Sequence, residues 1–232
     1  EFVDGVDLTP QGFYDEMASR DERPATAAPS PGAFEKAFRA AAADGDPVVC
    51  INLSSALSAT MQSAETAAKA IGEDHDVRVL DSKSITAGLG LQVLAAAELA
   101  ESGGSADEIE TLITDLSGRT TVYGALDTLD NLKKGGRIGG AQAMIGSILS
   151  IKPIIDISTG SVTEAGKQRT RKKALVWLRD KLFEMDDLEL EEDDGLEVAP
   201  EEAPPEPESV PAPAPEPAAP VDNSANEALQ AE

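Results

Sequence analysis

Three groups of residues in this sequence have the types and spacing to do chemistry. Two segments are rich in hydroxyls, Ala25-Thr26-Ala-Ala-Pro29-Ser30 and Leu53-Ser54-Ser-Ala-Leu57-Ser58-Ala-Thr60. Hydroxyls beside the free amides of a helix start can hold a carboxylate without a full counter-charge. A helix cap followed by a turn accounts for the same residues. The segment Lys133-Lys-Gly-Gly-Arg137-Ile-Gly-Gly140 sets glycines among cations. It can bring backbone N–H groups against an anion or make a tight turn between helices, and the residues alone leave both readings open. The third group, Lys167-Gln-Arg169-Thr-Arg171-Lys-Lys173, places five cations in seven residues. Such a patch is either solvated or a dock for an acidic partner surface.

Catalytic and metal-binding templates are missing. The sequence has no Gly-x-Ser-x-Gly elbow and no phosphate-binding Walker loop. One His and one Cys are too few for a zinc site of the usual Cys/His type, and a lone Cys50 has no partner for an internal disulfide. His75 sits in the polar stretch Gly72-Glu-Asp-His-Asp76 and reads as a solvated loop residue, whereas Cys50 falls mid-strand and reads as a small buried hydrophobe. Gly88-Leu-Gly90 lacks the third glycine of a dinucleotide fingerprint and lies within an apolar helical stretch. Asn52-Leu53-Ser54 matches a glycosylation sequon only at the end of a strand that reads as buried. With no evident general base or nucleophile the expectation is a binding protein, not an enzyme, with no metal and no cofactor.

Charge narrows the partners. The chain carries 43 acidic and 19 basic residues, a net charge of -24, which argues against nucleic acid, whose phosphates call for clustered cations. Seventeen of the acids fall between Glu184 and Glu232, a stretch with no Lys or Arg, so the body is only mildly acidic. Nine of the fifteen prolines follow Asp194, in runs such as Ala203-Pro-Pro-Glu-Pro-Glu208. High charge with few large apolar groups does not offset the entropy of ordering, so 185–232 is expected to be a disordered, solubilising or partner-binding tail. No apolar run approaches the roughly 18 residues of a membrane span; the longest, Ala87 to Ala100, is interrupted by Gly88, Gly90 and Gln92. The expected location is cytoplasmic.

The elements that must position these groups alternate between strand and helix. Thr9-Pro10 and Ser30-Pro31 pair an N-cap hydroxyl with proline at the first helical position. Pro47 to Leu53 is a short β-branched run, Val77 to Leu80 is another, and the Ala-rich Thr60 to Ile71 lies between them. Strand, helix and strand make a βαβ unit, which points to a parallel sheet. A helix is expected over Ala87–Glu101. Ser105-Ala-Asp-Glu108 is a capping box ahead of Ile109, Leu112, Ile113 and Leu116 at helical spacing. Further on, Thr120–Leu126 reads as strand, Asp127–Lys134 and Ala141–Ser150 as helical, Ile154–Ile157 as strand, Thr159-Gly160 as a turn, and Arg171–Phe183 as helix. The fold class is α/β, and in an open parallel sheet the loop holding Ser58 lies at the carboxyl end of a strand, where ligands bind.

Several phrases together resemble the DegV family of bacterial fatty-acid-binding proteins. They are Asp4-Gly-Val-Asp-Leu-Thr9, Thr26-x-x-Pro-Ser-Pro-Gly32, Leu57-Ser58-x-Thr-x-Gln62-Ser-Ala64, Asp81-Ser-Lys-Ser84, Leu126-Asp-Thr-Leu129, Lys134-Gly-Gly-Arg-Ile-Gly139, Ile151-Lys-Pro153 and Arg169-Thr-Arg-Lys-Lys-Ala174, in the family's order. The resemblance implies a two-domain fold: a parallel-sheet first α/β domain over 1–118, a partial second α/β domain over 119–184, and the tail over 185–232. It implies a carrier that encloses one long-chain fatty acid, with the carboxylate at the mouth and the acyl chain buried between the domains. By the same resemblance Thr26 and Ser58 contact the carboxylate, and the bound acid is presented to a fatty-acid kinase subunit that phosphorylates it. Arg169 and Arg171 are then the candidates for docking that kinase. Ala27 and Ala28 stand where the family has Ser and Gln, and Ala59 where it has Gly. The family's first strand and its C-terminal Thr-His-Thr-Gly-Pro-Gly phrase have no counterpart in residues 1–232, so the family pattern is expected to be incomplete at both ends. The competing reading is an interaction protein that has lost lipid binding and acts through its acidic tail and the 167–173 cluster.

Overall fold

The computed structural model describes residues 2, 6–20, 25–72, 75–145 and 151–189; the acidic, proline-rich stretch beyond Glu189, and with it most of the expected tail, lies outside the described residues. Two helices open the chain, α1 (Pro10–Ser19) and α2 (Pro31–Ala41). Each begins as the sequence predicts. The Thr9 hydroxyl accepts from Gly12 N at 3.1 Å and the Ser30 hydroxyl from Ala33 N at 3.2 Å, each satisfying an amide that the first turn leaves unpaired.

The βαβ unit follows as β1 (Val48–Asn52), α3 (Thr60–Ile71) and β2 (Val77–Asp81). The two strands pair in parallel, from Val48 opposite Val77 to Asn52 opposite Asp81. Their alternation feeds two cores. Val48, Cys50, Val77 and Val79 pack with Phe38, Ala64, Ala67 and Ile71 of α2 and α3. On the opposite face Val49, Ile51 and Leu80 pack with Ala96, Ile109 and Ile113 of α4 (Thr86–Glu101) and α5 (Ala106–Arg119). Burying a side chain of this size contributes roughly 1.5–3 kcal/mol. The capping box of α5 forms in full, with Ser105 N donating to Glu108 Oε2 at 2.7 Å and Glu108 N to Ser105 Oγ at 3.3 Å. Arg78 ties β2 to α5 by pairing with Asp76, Asp107 and Glu110.

Gly88 serves packing within α4. A Cβ on it would stand 2.3 Å from Ser84 Oγ and 2.5 Å from Val122 Cγ2, so the glycine lets the helix close on the loop after β2 and on the chain entering β3.

The second sheet is antiparallel, in the order β3 (Tyr123–Ala125), β4 (Lys152–Asp156), β5 (Thr163–Gln168). Two sequence expectations are adjusted here and one strand is new. The strand expected at Ile154–Ile157 starts two residues earlier, through Pro153, which reads as a breaker because it cannot donate to a ladder. The strand β5 has no apolar alternation to announce it; Thr-Glu-Ala-Gly-Lys-Gln, to which the sequence assigns no element, is held by pairing with β4. The helical segment expected over Ala141–Ser150 begins as a 3₁₀ helix from Gly139 to Met144, and 146–150 lie outside the described residues. It follows the short α6 (Asp130–Lys134). Leu129, Ile138, Met144, Ile155, Ile157 and Val162 form this half's core, into which Leu57 and Ile85, from the loops after β1 and β2, also pack. The last helix, α7 (Arg171–Glu189), lies against the second sheet.

Candidate head-group site at the carboxyl ends of the parallel strands

Because β1 and β2 end in register, at Asn52 and Asp81, the loops that follow leave the sheet from one rim. Ser54 N donates to Ser84 O at 2.9 Å, and the Asp81 carboxylate accepts from the Ser55 hydroxyl at 2.6 Å and from Lys83 N at 2.8 Å. Each loop therefore holds the other. Beyond Ser55 the chain folds over Ser54, whose carbonyl accepts from Leu57 N at 3.0 Å and from Ser58 N at 3.2 Å.

Ser58 is half-buried at the start of α3. Its hydroxyl oxygen accepts from Thr60 N at 3.2 Å and lies 2.8 Å from the Thr60 hydroxyl. Accepting from the first amide of α3 and serving a ligand are compatible roles: if Thr60 is the donor of the hydroxyl pair, the Ser58 proton is free to point away from the helix.

From the second half comes Arg137. Its Nε donates to Leu57 O at 3.1 Å and its Nη1 to Gly135 O at 2.7 Å. Two of the guanidinium's five N–H groups are thereby fixed and the others remain for an anion. Among the described residues no carboxylate pairs with it. Ser58 and Arg137 line one open depression of about 600 Å³, together with Ser55, Leu57, Met61, Gln62 and Glu65. That size falls within the usual range for small-molecule sites.

The glycine-rich segment is a turn that delivers this cation. Gly136, at φ 72, reverses the chain after α6, and Gly139, at φ 48, lets the backbone close on Val162, where a Cβ would stand 2.4 Å from the carbonyl oxygen. Gly140 N then donates to Val162 O at 2.8 Å.

The other residues singled out by sequence fall elsewhere. Thr26 is exposed in the extended segment before α2 and is not among the residues lining the depression. Arg169 is exposed just past β5, and Arg171 opens α7, 3.7 Å from Asp127. Lys152 also pairs with Asp127, at 2.9 Å, and that hydrogen bond holds the Asp127 carboxyl below its usual value. His75 lies in the bend before β2. Cys50 is half-buried in β1, where burial pushes its thiol pKa up despite an opposing hydrogen bond from Asn52. The sequence left the segment holding Arg137 open between an anion loop and a tight turn and did not join Arg137 to Ser58; the signal was the lone Arg between two glycine pairs.

A family model described as "Uncharacterised protein, DegV family" matches residues 1–199. The chain belongs to the DegV family. A DegV domain-containing protein of Deinococcus radiodurans is 38% identical over 174 residues, covering 75% of this chain and 61% of the relative. Among solved structures, a DegV family protein of Thermus thermophilus described for fatty acid binding superposes with a TM-score of 0.69 at 35% identity, over 76% of this chain and 64% of its own. A stearic acid-binding protein of Eubacterium ventriosum gives 0.70 at 28% identity, over 82% and 65%. The DegV chain thus spans just under two thirds of the length of each. These neighbours share its α/β fold, and among the described residues no helix is long and apolar enough to cross a membrane.

Proposed function

We propose that this DegV chain carries a long-chain fatty acid, holding the carboxylate in the depression between Ser58 and Arg137 and burying the acyl chain between its two α/β halves. The observation that carries the reading is that the Ser58 hydroxyl and a two-point-anchored guanidinium line one depression at the rim of a parallel sheet, in a fold whose solved relatives are described as binding fatty acids. A carboxylate takes charge-assisted hydrogen bonds from a guanidinium and a neutral one from a hydroxyl. Each buried methylene adds roughly 0.8 kcal/mol, so affinity rises with chain length while the polar groups set orientation. Thr26, on the segment leading into α2, supplies a second hydroxyl to the head group.

The carrier does no chemistry itself. It presents the carboxylate, in the cytoplasm, to a fatty-acid kinase that forms the acyl-phosphate, and the exposed cations Arg169 and Arg171 dock that partner. The domain boundaries near residues 118 and 184, and an acidic solvated tail beyond them, belong to the same proposal.

Organic extraction and mass spectrometry of lipid from the purified protein, with native mass spectrometry for stoichiometry, test it. One fatty acid per chain is the expected result. A folded chain that stays empty when incubated with palmitate overturns the carrier reading and favours an interaction protein working through its charged segments.

A further inference from the structure

Ser54, two residues past β1 and only 1% exposed, is bonded through every polar group it has. Its N–H goes to the loop after β2, at Ser84 O. Its carbonyl and hydroxyl oxygens between them accept three successive amides of the head-group loop: Ala56 N at 3.3 Å on Oγ, and Leu57 N and Ser58 N on O. Its hydroxyl proton crosses to the second half, where Gly160 O accepts it at 2.6 Å in a buried bond spanning 106 positions.

The turn carrying Gly160 is shaped for this bond. Gly160 sits at φ 81, and a Cβ on it would come within 2.9 Å of Ser54 Oγ and 3.4 Å of Lys83 Cα. Only a glycine gives the hydroxyl this approach. The head-group loop is therefore fastened to the second half at two points three residues apart, Ser54 Oγ to Gly160 and Leu57 O to Arg137. The second point involves the guanidinium of the proposed site itself.

We infer that Ser54 is a positioning residue for head-group recognition: by bonding Gly160 and gathering the amides of residues 56–58, it fixes where the Ser58 hydroxyl stands relative to Arg137. The inference rests on the carboxylate reading given above. Without the Ser54 hydroxyl, the Ala56 amide and the buried Gly160 carbonyl each lose a partner, and the loop relaxes about its remaining contacts. The acyl chain makes no use of this bond, so the loss should fall on recognition of the acid and spare apolar binding.

Affinities for palmitate and 1-hexadecanol, measured on the wild type, Ser58→Ala, Ser54→Ala and the double variant, separate these effects. If the wild type does not prefer the acid, or Ser58→Ala leaves the preference intact, the carboxylate reading fails and takes this role with it. Where that reading holds, Ser54→Ala should narrow the acid-over-alcohol ratio by about tenfold with hexadecanol binding nearly unchanged. The double variant should then be little worse than Ser58→Ala alone, as expected for residues acting through one another. A wild-type ratio in Ser54→Ala, or fully additive losses, overturns the inference. If Ser54→Ala does not fold, Ser54→Cys decides: it keeps the bulk with a weak donor, and an unchanged ratio in that variant overturns the inference. Failure of both variants to fold assigns Ser54 to folding alone and overturns it as well.

Discussion

The guanidinium of Arg137 donates through Nε to the carbonyl of Leu57 at 3.1 Å, joining residues 80 positions apart at the edge of the depression that Ser58 lines. One cation thus anchors the loop that carries Ser58 while two of its five N–H groups are committed, which is the arrangement the proposed carboxylate site calls on.

Replacing Arg137 with alanine should therefore remove charge and geometry together. A hydrogen bond to a charged group is worth about 1.5–3 kcal/mol, which puts the expected loss of fatty-acid affinity between about tenfold and a hundredfold. Arg137→Lys should recover only part of it, because an ammonium lacks the planar fork that can bond Leu57 O and a carboxylate at once. Titration calorimetry with palmitate on the three proteins checks both outcomes, and the wild type's affinity should weaken as salt is raised.

The two hydroxyls differ in their surroundings. Ser58 is half-buried at the depression, whereas Thr26 is exposed and off its lining. Ser58→Ala is accordingly expected to cost more affinity than Thr26→Ala. Thr26→Ala with Ser58→Ala should weaken palmitate binding by at least about tenfold, and an unchanged affinity in a direct binding assay would remove both from the head-group site.

Gly139→Ala tests the turn that delivers Arg137. The new methyl would lie 2.4 Å from Val162 O in a left-handed backbone, so the 3₁₀ segment must move off β5. Destabilisation of about 1–3 kcal/mol is expected, read as a lower urea midpoint, with weaker fatty-acid binding in whatever fraction stays folded.

Much of the frame was legible because it is local. Proline after Thr9 and Ser30, the Ser105/Glu108 box, and two β-branched runs around an Ala-rich helix each fix their own geometry within a few residues, and the parallel pairing of β1 with β2 follows from their order. What escaped reading is long-range. Nothing near Thr163–Gln168 marks it as a strand, since its ladder is supplied by β4. Likewise the partnership of Arg137 with the Ser58 loop exists only once Gly136 and Gly139 have turned the chain and the core around Ile138 and Leu57 has closed. Ser58 itself reads first as part of a cap and turn and only second as a ligand hydroxyl, and its oxygen does accept from Thr60 N, the first amide of α3.

The Lys152–Asp127 pair gives a pH signature. Asp127 is held below its ordinary value of 3.8, chiefly by the hydrogen bond from Lys152. A depressed carboxyl contributes stability that is fully present above the unfolded value and is lost as pH falls through the lower folded one. Asp127→Asn should thus melt earlier than the wild type at neutral pH, and the two melting temperatures should converge below pH 3.8. Because the pair is at the surface, the difference should be small and should shrink in high salt.

The chain has one tryptophan and one cysteine, and they fall in different halves, Trp177 on α7 and Cys50 in β1. Trp177 stacks edge-on against Tyr123 at 5.4 Å where α7 meets the second sheet, while the Cys50 thiol, its pKa raised by burial, lies half-buried within β1 of the first. Indole emission therefore clocks the release of α7, and the rate at which a thiol reagent is consumed clocks the opening of the βαβ unit. The unaltered sequence carries its own two-colour experiment: if both clocks run at one rate the halves melt as a single cooperative body, and if thiol consumption runs ahead the head-group rim comes apart while α7 stays docked.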